Sequence, residues 1–175
     1  MAEPRTLPEY MLRNGREITD QAAMREKYLG IWQTYDWRAY NQNVRDLALG
    51  LVTLGFGRGD KLSVIGNNRP RLYWAQVSAQ CLGGIAVPVY QDSIAKELTF
   101  VLRHSEAKVI VAEDQEQVDK ILSIKDDLPD LQWLVYDDPR GMVDYDLDFL
   151  KSYEELQTAG QAFDRENPSY FDDEI

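Results

Sequence analysis

Residues 59–93 read GDKLSVIGNNRPRLYWAQVSAQCLGGIAVPVYQDS, and this stretch decides the fold. A short apolar run, Leu62–Ile65, is followed by a proline, Pro70, of the kind that begins a helix. A pair of glycines ends that helix, and a second apolar run, Ile85–Val89, comes directly after them. Two apolar runs joined by a helix predict one strand–helix–strand unit of a parallel sheet.

The same rhythm continues along the chain. Apolar runs begin at Leu62, Ile85, Lys108 and Gln132, and the segments between them have helical patterns at 70–81, 94–103 and 114–124. Strands that are apolar on both faces and alternate with helices are typical of a parallel sheet covered on both sides. We therefore expect an α/β fold with a mostly parallel sheet and helices on both faces, whose repeating core is formed by residues 37–136.

Residues 1–36 predict an N-terminal helix and a β-hairpin. Thr6 is the expected N-cap of a helix that ends near Arg16, and two alternating segments, 22–27 and 31–35, flank a short link that contains Gly30. Asp36 is then the expected N-cap of a long helix that ends at residue 54. One face of this helix carries a continuous apolar stripe, formed by Tyr40, Val44, Leu47, Leu51 and Leu54.

After residue 136 the pattern weakens and the charge becomes strongly acidic. Residues 113–175 contain 19 acidic and 5 basic side chains, in a chain whose net charge is −11. The net charge argues against a nucleic-acid partner, and the acidic C-terminal part indicates either an exposed acidic surface or a poorly ordered tail. Residues 147–158 predict one helix, and Asn167-Pro168-Ser169 interrupts any helix beyond it. We expect residues 137–175 to form an acidic helix and a truncated linker.

Few side chains have the pattern of a catalytic or metal site. The single cysteine, Cys81, lies among apolar residues of a predicted helix, where a core position is expected. The single histidine, His104, has no nucleophile at a recognisable spacing. The acidic pairs at 126–127 and 137–138 lie in turns, where carboxylates are usually solvated. We predict no catalytic residue and no metal site in this chain.

Two loops follow the carboxyl ends of predicted strands, which is the edge of a parallel sheet where ligands bind. In the first loop Asn68 is a candidate helix N-cap, and Arg69 is placed to meet an anion. The second loop begins at Tyr90, and Ser93 is the expected N-cap of the helix that follows. We predict that Asn67, Asn68, Arg69 and Tyr90 line a substrate crevice. The alternative is that the two asparagines serve only the turn and the helix cap.

Five segments together resemble a known family. They are WQTYDW at 32–37, ALGLVTLG at 48–55, GRGDKLSVIGNNRP at 57–70, GGIAVPVYQDS at 83–93 and SEAKVIVAEDQEQVDKIL at 105–122. Their order and spacing resemble the N-terminal part of the AMP-forming acyl-CoA synthetases, members of the adenylate-forming superfamily, from about residue 7 to the end. Within that family the chain is most similar to bacterial long-chain fatty-acid–CoA ligases. The resemblance implies that residues 1–175 form the N-terminal portion of the large AMP-binding (adenylation) domain.

The resemblance also implies a two-step reaction in the complete enzyme. A carboxylate attacks the α-phosphate of ATP to give an acyl-adenylate and pyrophosphate, and the coenzyme A thiol then displaces AMP. ATP, Mg²⁺ and coenzyme A are the implied cofactors, and the substrate is a fatty acid or another small carboxylate (aryl, medium-chain or amino acid). The family's Ser/Thr/Gly-rich phosphate loop would follow a segment such as Asp172–Ile175. No catalytic residue is therefore carried onto this chain, and we expect it to be inactive alone and to bind no cofactor.

The remaining expectations concern partners and location. The implied partner is the remainder of the same polypeptide, and a homodimer stays open. We expect a cytoplasmic protein, with peripheral attachment to the inner membrane as an open alternative. Gln91 stands where the family commonly has a proline after the tyrosine, so the conformation of that loop is not carried over. The alternative to an enzyme is a stand-alone, non-catalytic α/β binding module.

Overall fold

A computed structural model describes residues 3–175, so Met1 and Ala2 of the predicted N-terminal segment lie outside the described residues. The strands are β1 (Ala22–Tyr28), β2 (Ile31–Asp36), β3 (Lys61–Ile65), β4 (Ile85–Val89), β5 (Val109–Ala112), β6 (Trp133–Tyr136) and β7 (Leu150–Ser152). The helices are α1 (Leu7–Glu17), α2 (Trp37–Thr53), α3 (Pro70–Cys81), α4 (Ala95–Ser105), α5 (Gln115–Leu122), α6 (Tyr153–Glu166) and α7 (Tyr170–Glu174). No helix in this described part has the length and apolar character needed to cross a bilayer.

The central sheet has five parallel strands in the order β4-β3-β5-β6-β7. Alternate residues of one strand enter two separate cores, because successive side chains of a strand point to opposite faces. On β5, Val109 and Val111 belong to the core that includes residues of α2, α3 and α6. Ile110 and Ala112 belong to the core that includes residues of α4 and α5. The predicted α/β fold with helices on both faces is therefore confirmed.

The N-terminal elements form where the sequence predicted them. Thr6 caps α1 through a capping box, in which its hydroxyl accepts from the Glu9 N–H and the Glu9 carboxylate accepts from the Thr6 N–H. The strands β1 and β2 pair antiparallel as a hairpin. The Asp36 carboxylate accepts from the Ala39 N–H at 2.7 Å and caps α2.

The C-terminal region differs from the single helix predicted for residues 147–158. A fifth strand, β7, occupies Leu150–Ser152 and pairs with β6, and α6 begins only at Tyr153. The boundary is set by a capping box, because Ser152 and Glu155 satisfy each other's backbone N–H groups. The helix α6 then continues to Glu166, which is eight residues beyond the predicted end.

The two helix caps predicted after the sheet strands, at Asn68 and Ser93, are wrong. The helix α3 has Arg69, not Asn68, at its N-cap position, and α4 has Ile94, not Ser93; neither helix has a side-chain cap. At α3 the following Pro70 removes one of the N–H groups that a cap would otherwise satisfy. Ser93 instead donates its N–H to the Tyr90 carbonyl in a turn. Asp114, the first residue of the helical segment predicted at 114–124, caps α5 and accepts from the Gln117 N–H at 3.1 Å.

The helices α2 and α6 approach each other very closely, and each has a glycine at the crossing. A Cβ added at Gly160 would lie 2.6 Å from the backbone nitrogen of Gly50 and closer still to the Asp46 carbonyl oxygen. A Cβ added at Gly50 would lie 2.9 Å from the Leu156 carbonyl carbon. The Gln161 amide donates to the buried Asp46 carboxylate at 2.7 Å beside this crossing. Both glycines are needed because backbone faces backbone there.

One arginine joins α2 to the C-terminal segment. The Arg45 guanidinium donates to both carboxylate oxygens of Asp164, at 2.8 and 2.7 Å, and to Asp172 at 3.0 Å. It also donates to the Pro168 carbonyl at 2.8 Å and lies over the Phe171 ring. These hydrogen bonds to carboxylates raise the pKa of Arg45. The bidentate geometry fixes the C-terminal segment against the N-terminal long helix.

The turn of the hairpin places a leucine in a left-handed conformation. Leu29 has a φ of 47° and Gly30 a φ of 82°, which is the two-residue arrangement that asparagine followed by glycine adopts best. The Leu29 side chain is 82% exposed, so little packing offsets the backbone cost. We expect Leu29→Asn to raise the free energy of unfolding by about 0.5–1 kcal/mol in urea denaturation. Ile31→Asn, outside the turn, should give no such gain; a loss of stability in Leu29→Asn would contradict the prediction.

Candidate functional site

A polar cleft lies at the carboxyl ends of β3, β5 and β6. Its volume is about 650 Å³, and its walls are the loops that follow these strands together with one face of the hairpin β1–β2. This is the edge at which parallel α/β sheets place their ligands. Of the predicted site residues, Asn67 and Arg69 line this cleft.

The centre of the cleft is a buried carboxylate, Glu113, which directly follows β5. Only 6% of Glu113 is exposed. Its Oε2 accepts from the backbone N–H of Asn67 at 2.5 Å and from the Asn67 side-chain amide at 2.9 Å, and its Oε1 accepts from Arg69 Nε at 2.6 Å. Gly66 makes room for the Glu113 side chain, since a Cβ at residue 66 would lie 2.8 Å from Glu113 Oε2. Glu113 therefore fixes the loop after β3 to the end of β5.

This arrangement changes the interpretation of Arg69. We predicted that Arg69 is placed to meet an anion, but its guanidinium is paired with Glu113 and lies 3.7 Å from Glu26 Oε2. The hydrogen bond to Glu113 raises the pKa of Arg69. The positive charge of Arg69 is therefore balanced by carboxylates of the protein itself. The interaction positions the loop and leaves little positive potential for a phosphate.

The structure separates the four predicted site residues between two depressions. Asn68 and Tyr90 line a second groove of about 430 Å³, bordered by α3 and the ends of β3 and β4, and Asn67 lies at the edge of both. The Gln91 amide donates to Asn67 Oδ1 at 3.0 Å and links the two loops. The Tyr90 side chain is 86% exposed. That the four residues contact substrate stays a prediction.

A second ion-pair group forms the other wall of the cleft. Arg71 donates to Asp137 at 2.7 Å and to Glu154 at 3.1 Å, and it lies over the Tyr153 ring. We predicted a solvated turn carboxylate at Asp137, but only 13% of its side chain is exposed. Its burial raises the pKa of Asp137, and the neighbouring Arg71 opposes that shift. Burial and a hydrogen bond to Glu26 likewise raise the pKa of Tyr35 to about 12.

The charges of the cleft do not suit the phosphates of a nucleotide. Six carboxylates line it against three arginines, all of which are paired with carboxylates: Glu26, Glu113, Asp114, Asp137, Asp138 and Glu154 against Arg69, Arg71 and Arg140. Phosphate sites offer free cations and unpaired N–H groups instead. Among residues 3–175, moreover, no group of three or more His, Cys, Asp or Glu side chains is placed to hold a metal ion.

The two lone reactive residues lie away from this cleft. Cys81 is buried as expected, and burial raises the pKa of its thiol to about 12, which keeps it protonated at neutral pH. His104 lies on the solvent-facing side of α4, where its ring stacks on Phe100 at a centroid distance of 6.0 Å. Neither side chain is placed to act on a ligand in the cleft.

Sequence reasoning did not identify Glu113, Arg71 or Asp137 as parts of this site. A signal for Glu113 was present, because this carboxylate directly follows the fully apolar run of β5, at the same edge of the sheet where Asn67 follows β3 after one glycine. For Asp137 the composition of the turn predicted an exposed carboxylate. Its burial becomes visible only in the structure, where it pairs with Arg71 and Arg71 packs on the Tyr153 ring.

Comparisons with known proteins agree with this fold. The family model described as AMP-binding enzyme matches residues 13–171. A long-chain-fatty-acid–CoA ligase of Xenopus laevis is 30% identical over 132 residues, and an uncharacterised protein of Mycobacterium tuberculosis is 36% identical over 118 residues. The solved A-PCP didomain of a carboxylic acid reductase from Segniliparus rugosus, in complex with AMP, superposes on 93% of this chain with a TM-score of 0.77 and 14% identity.

The extent of these matches differs between the relatives. The matched region is 75% of this chain but 18% of the Xenopus ligase, and the chain covers 27% of the reductase didomain. The match to the Mycobacterium protein covers 67% of this chain and 66% of that protein, so the two are of similar length. Since the family model spans most of the chain and the five-stranded parallel sheet agrees with it, the chain belongs to the family of AMP-binding, adenylate-forming enzymes.

Proposed function

We propose that this chain forms the N-terminal scaffold of an ATP-dependent, AMP-forming long-chain fatty-acid–CoA ligase. The observation that carries the proposal is the family match over residues 13–171, supported by the resemblance to a ligase of long-chain fatty acids. The complete enzyme would form an acyl-adenylate from ATP and the fatty acid in the presence of Mg²⁺, and would then transfer the acyl group to coenzyme A.

In this proposal the residues of the cleft position loops and carry out no chemical step. Glu113 holds the loop after β3, and Arg71 holds the start of α6 beside Asp137. Both groups are neutralised internally, and their excess of carboxylates does not fit a triphosphate. We therefore assign the nucleotide phosphates to residues outside this chain, and the scaffold role to the residues within it.

The assay for this proposal is carboxylate-dependent exchange of pyrophosphate into ATP. We expect the 175-residue chain to show no exchange above the enzyme-free background with long-chain fatty acids, and its melting temperature to be unchanged by Mg·ATP. The longer polypeptide that continues into a Ser/Thr/Gly-rich loop should show exchange. Catalysed exchange by the 175-residue chain alone would contradict the scaffold role.

The choice of carboxylate is tested separately in the longer polypeptide. Long-chain, medium-chain, aryl and amino acids are compared at equal concentration in the same exchange assay. The proposal requires that long-chain fatty acids give the highest rate. A preference for an aryl or amino acid would keep the adenylate-forming chemistry and replace the substrate.

A second candidate is a stand-alone, non-catalytic α/β binding module. The Mycobacterium tuberculosis relative favours this candidate, because it contains the matched region in a protein of about the same length as this chain. The intact mass of the native protein, purified from its own cells, decides between the two. A mass near 20.2 kDa would favour the module, and a mass several times larger would favour the ligase.

A further inference from the structure

The tip of the hairpin β1–β2 is apolar and projects into solvent. Leu29 is 82% exposed, Ile31 66%, Trp32 65% and Tyr28 47%. Of the four tryptophans in the chain, Trp32 is exposed, whereas Trp37, Trp74 and Trp133 are partly or fully buried. Four adjacent large apolar side chains at one turn are unusual on a protein surface, and such clusters mark interaction sites.

The outer face of the same hairpin carries two unpaired cations. The strand register places Lys27 opposite Trp32 and Arg25 opposite Thr34. Alternation turns these four side chains to one face, away from the face on which Tyr35 donates to Glu26. Both cations are exposed, and within residues 3–175 neither takes part in an ion pair, whereas the arginines of the cleft are all paired.

Turn formation does not account for the leucine at the tip. Leu29 lies at a positive φ that disfavours a branched apolar side chain, and asparagine or glycine would suit it better. The exposed side chain contributes little packing in return. A residue that breaks a local rule without a compensating contact points to a role outside the folded chain.

We propose that the hairpin tip, residues 28–32, docks onto a lipid surface that contains anionic headgroups. Leu29 and Ile31 enter the boundary of the acyl chains, the Trp32 ring lies at headgroup level, and Arg25 and Lys27 pair with lipid phosphates. The combination of an apolar tip with Trp32 and two cations on one face of the hairpin favours a bilayer. A two-residue turn is narrow and convex, so it offers little area for a stable protein interface.

The rest of the chain limits the strength of this contact. With a net charge of −11, the protein as a whole is repelled by an anionic surface, so binding depends on the orientation that presents Arg25 and Lys27. We therefore expect weak, reversible and salt-sensitive attachment. The proposal stands independently of ligase activity, although a bilayer is where a long-chain fatty acid would be collected.

The test uses the 175-residue chain with vesicles of phosphatidylcholine, with and without phosphatidylglycerol. We expect co-sedimentation with the mixed vesicles, a blue shift of the tryptophan emission, and quenching by brominated lipid. Trp32→Phe should remove the shift and the quenching while the protein still sediments. Leu29→Asn should weaken partitioning about tenfold, and Arg25→Gln or Lys27→Gln about fivefold each, only with the anionic lipid.

Two variants distinguish lipid docking from an effect on folding and from binding to another protein. Leu29→Asn suits the turn, so its lost binding cannot be assigned to unfolding. Val143→Asn removes a side chain that is 92% exposed outside the hairpin and should bind like the wild type. Absent vesicle binding, or equal binding by the two variants, would overturn the proposal. Lipid-free self-association that Leu29→Asn abolishes would overturn it in favour of a second copy of the chain.

Discussion

Gly160→Ala is expected to lower the free energy of unfolding by about 3 kcal/mol or more. The new Cβ would lie 2.6 Å from the Gly50 nitrogen and closer still to the Asp46 carbonyl oxygen. Backbone atoms cannot move aside as a flexible side chain can, so the two helices must separate along their whole contact. Because typical domains are stable by only about 5–15 kcal/mol, much of the total stability is at stake. Urea denaturation followed by circular dichroism measures the loss.

The matched control for this glycine is Gly57→Ala. No atom lies within 4 Å of a Cβ added at Gly57, and its φ is not positive. We expect its free energy of unfolding to stay within about 0.5 kcal/mol of the wild type. If Gly160→Ala were as stable as Gly57→Ala, the close crossing of α2 and α6 would be wrong.

The second large effect is expected at the centre of the cleft. Glu113→Ala should lower the free energy of unfolding by about 3 kcal/mol, because it removes the partner of Arg69 and the oxygen that accepts from both the backbone N–H and the side-chain amide of Asn67. Hydrogen exchange gives a local readout: the Asn67 amide should lose its protection while the β5 amides keep theirs. This pattern separates a released loop from general unfolding.

The control for this carboxylate is Glu116→Ala, on the exposed side of α5. Removing the Glu116 carboxylate takes away only a favourable charge at the helix N-terminus, so the free energy of unfolding should fall by about a few tenths of a kcal/mol. Equal stability of Glu113→Ala and Glu116→Ala, or an Asn67 amide that stays protected in the former, would show that Glu113 does not hold the loop.

The architecture could be predicted because its signals are local and regular. The runs that became β3, β4, β5 and β6 are mostly apolar, and helices of 8 to 12 residues separate them. The strand β7 was missed because it has only three residues, and Leu150 also fits the periodicity of the helix that follows. The start of that helix depends on the capping box of Ser152 and Glu155, a short signal that the longer apolar pattern overrode.

The site could be predicted only in part, because its contacts join distant segments. The loop positions of Asn67 and Arg69 follow from the end of β3, but their partner Glu113 lies more than forty residues later. That pairing depends on β3 and β5 being neighbours in the sheet, which no local pattern specifies. The close approach of Gly50 to Gly160 could not be predicted from the sequence for the same reason. Each glycine by itself indicates only a weak position within a helix.

The close contact of α2 with α6 also governs how the chain must be made. The ribosome completes α2 at Thr53 and begins α6 only at Tyr153, which at about 5–20 residues per second is a delay on the order of ten seconds. During that time the face of α2 around Gly50 lacks its final cover, and Arg45 lacks Asp164. The helix α2 is thus among the first elements synthesised and among the last to complete its tertiary contacts. Nascent chains that pause before α6 are the species most exposed to aggregation.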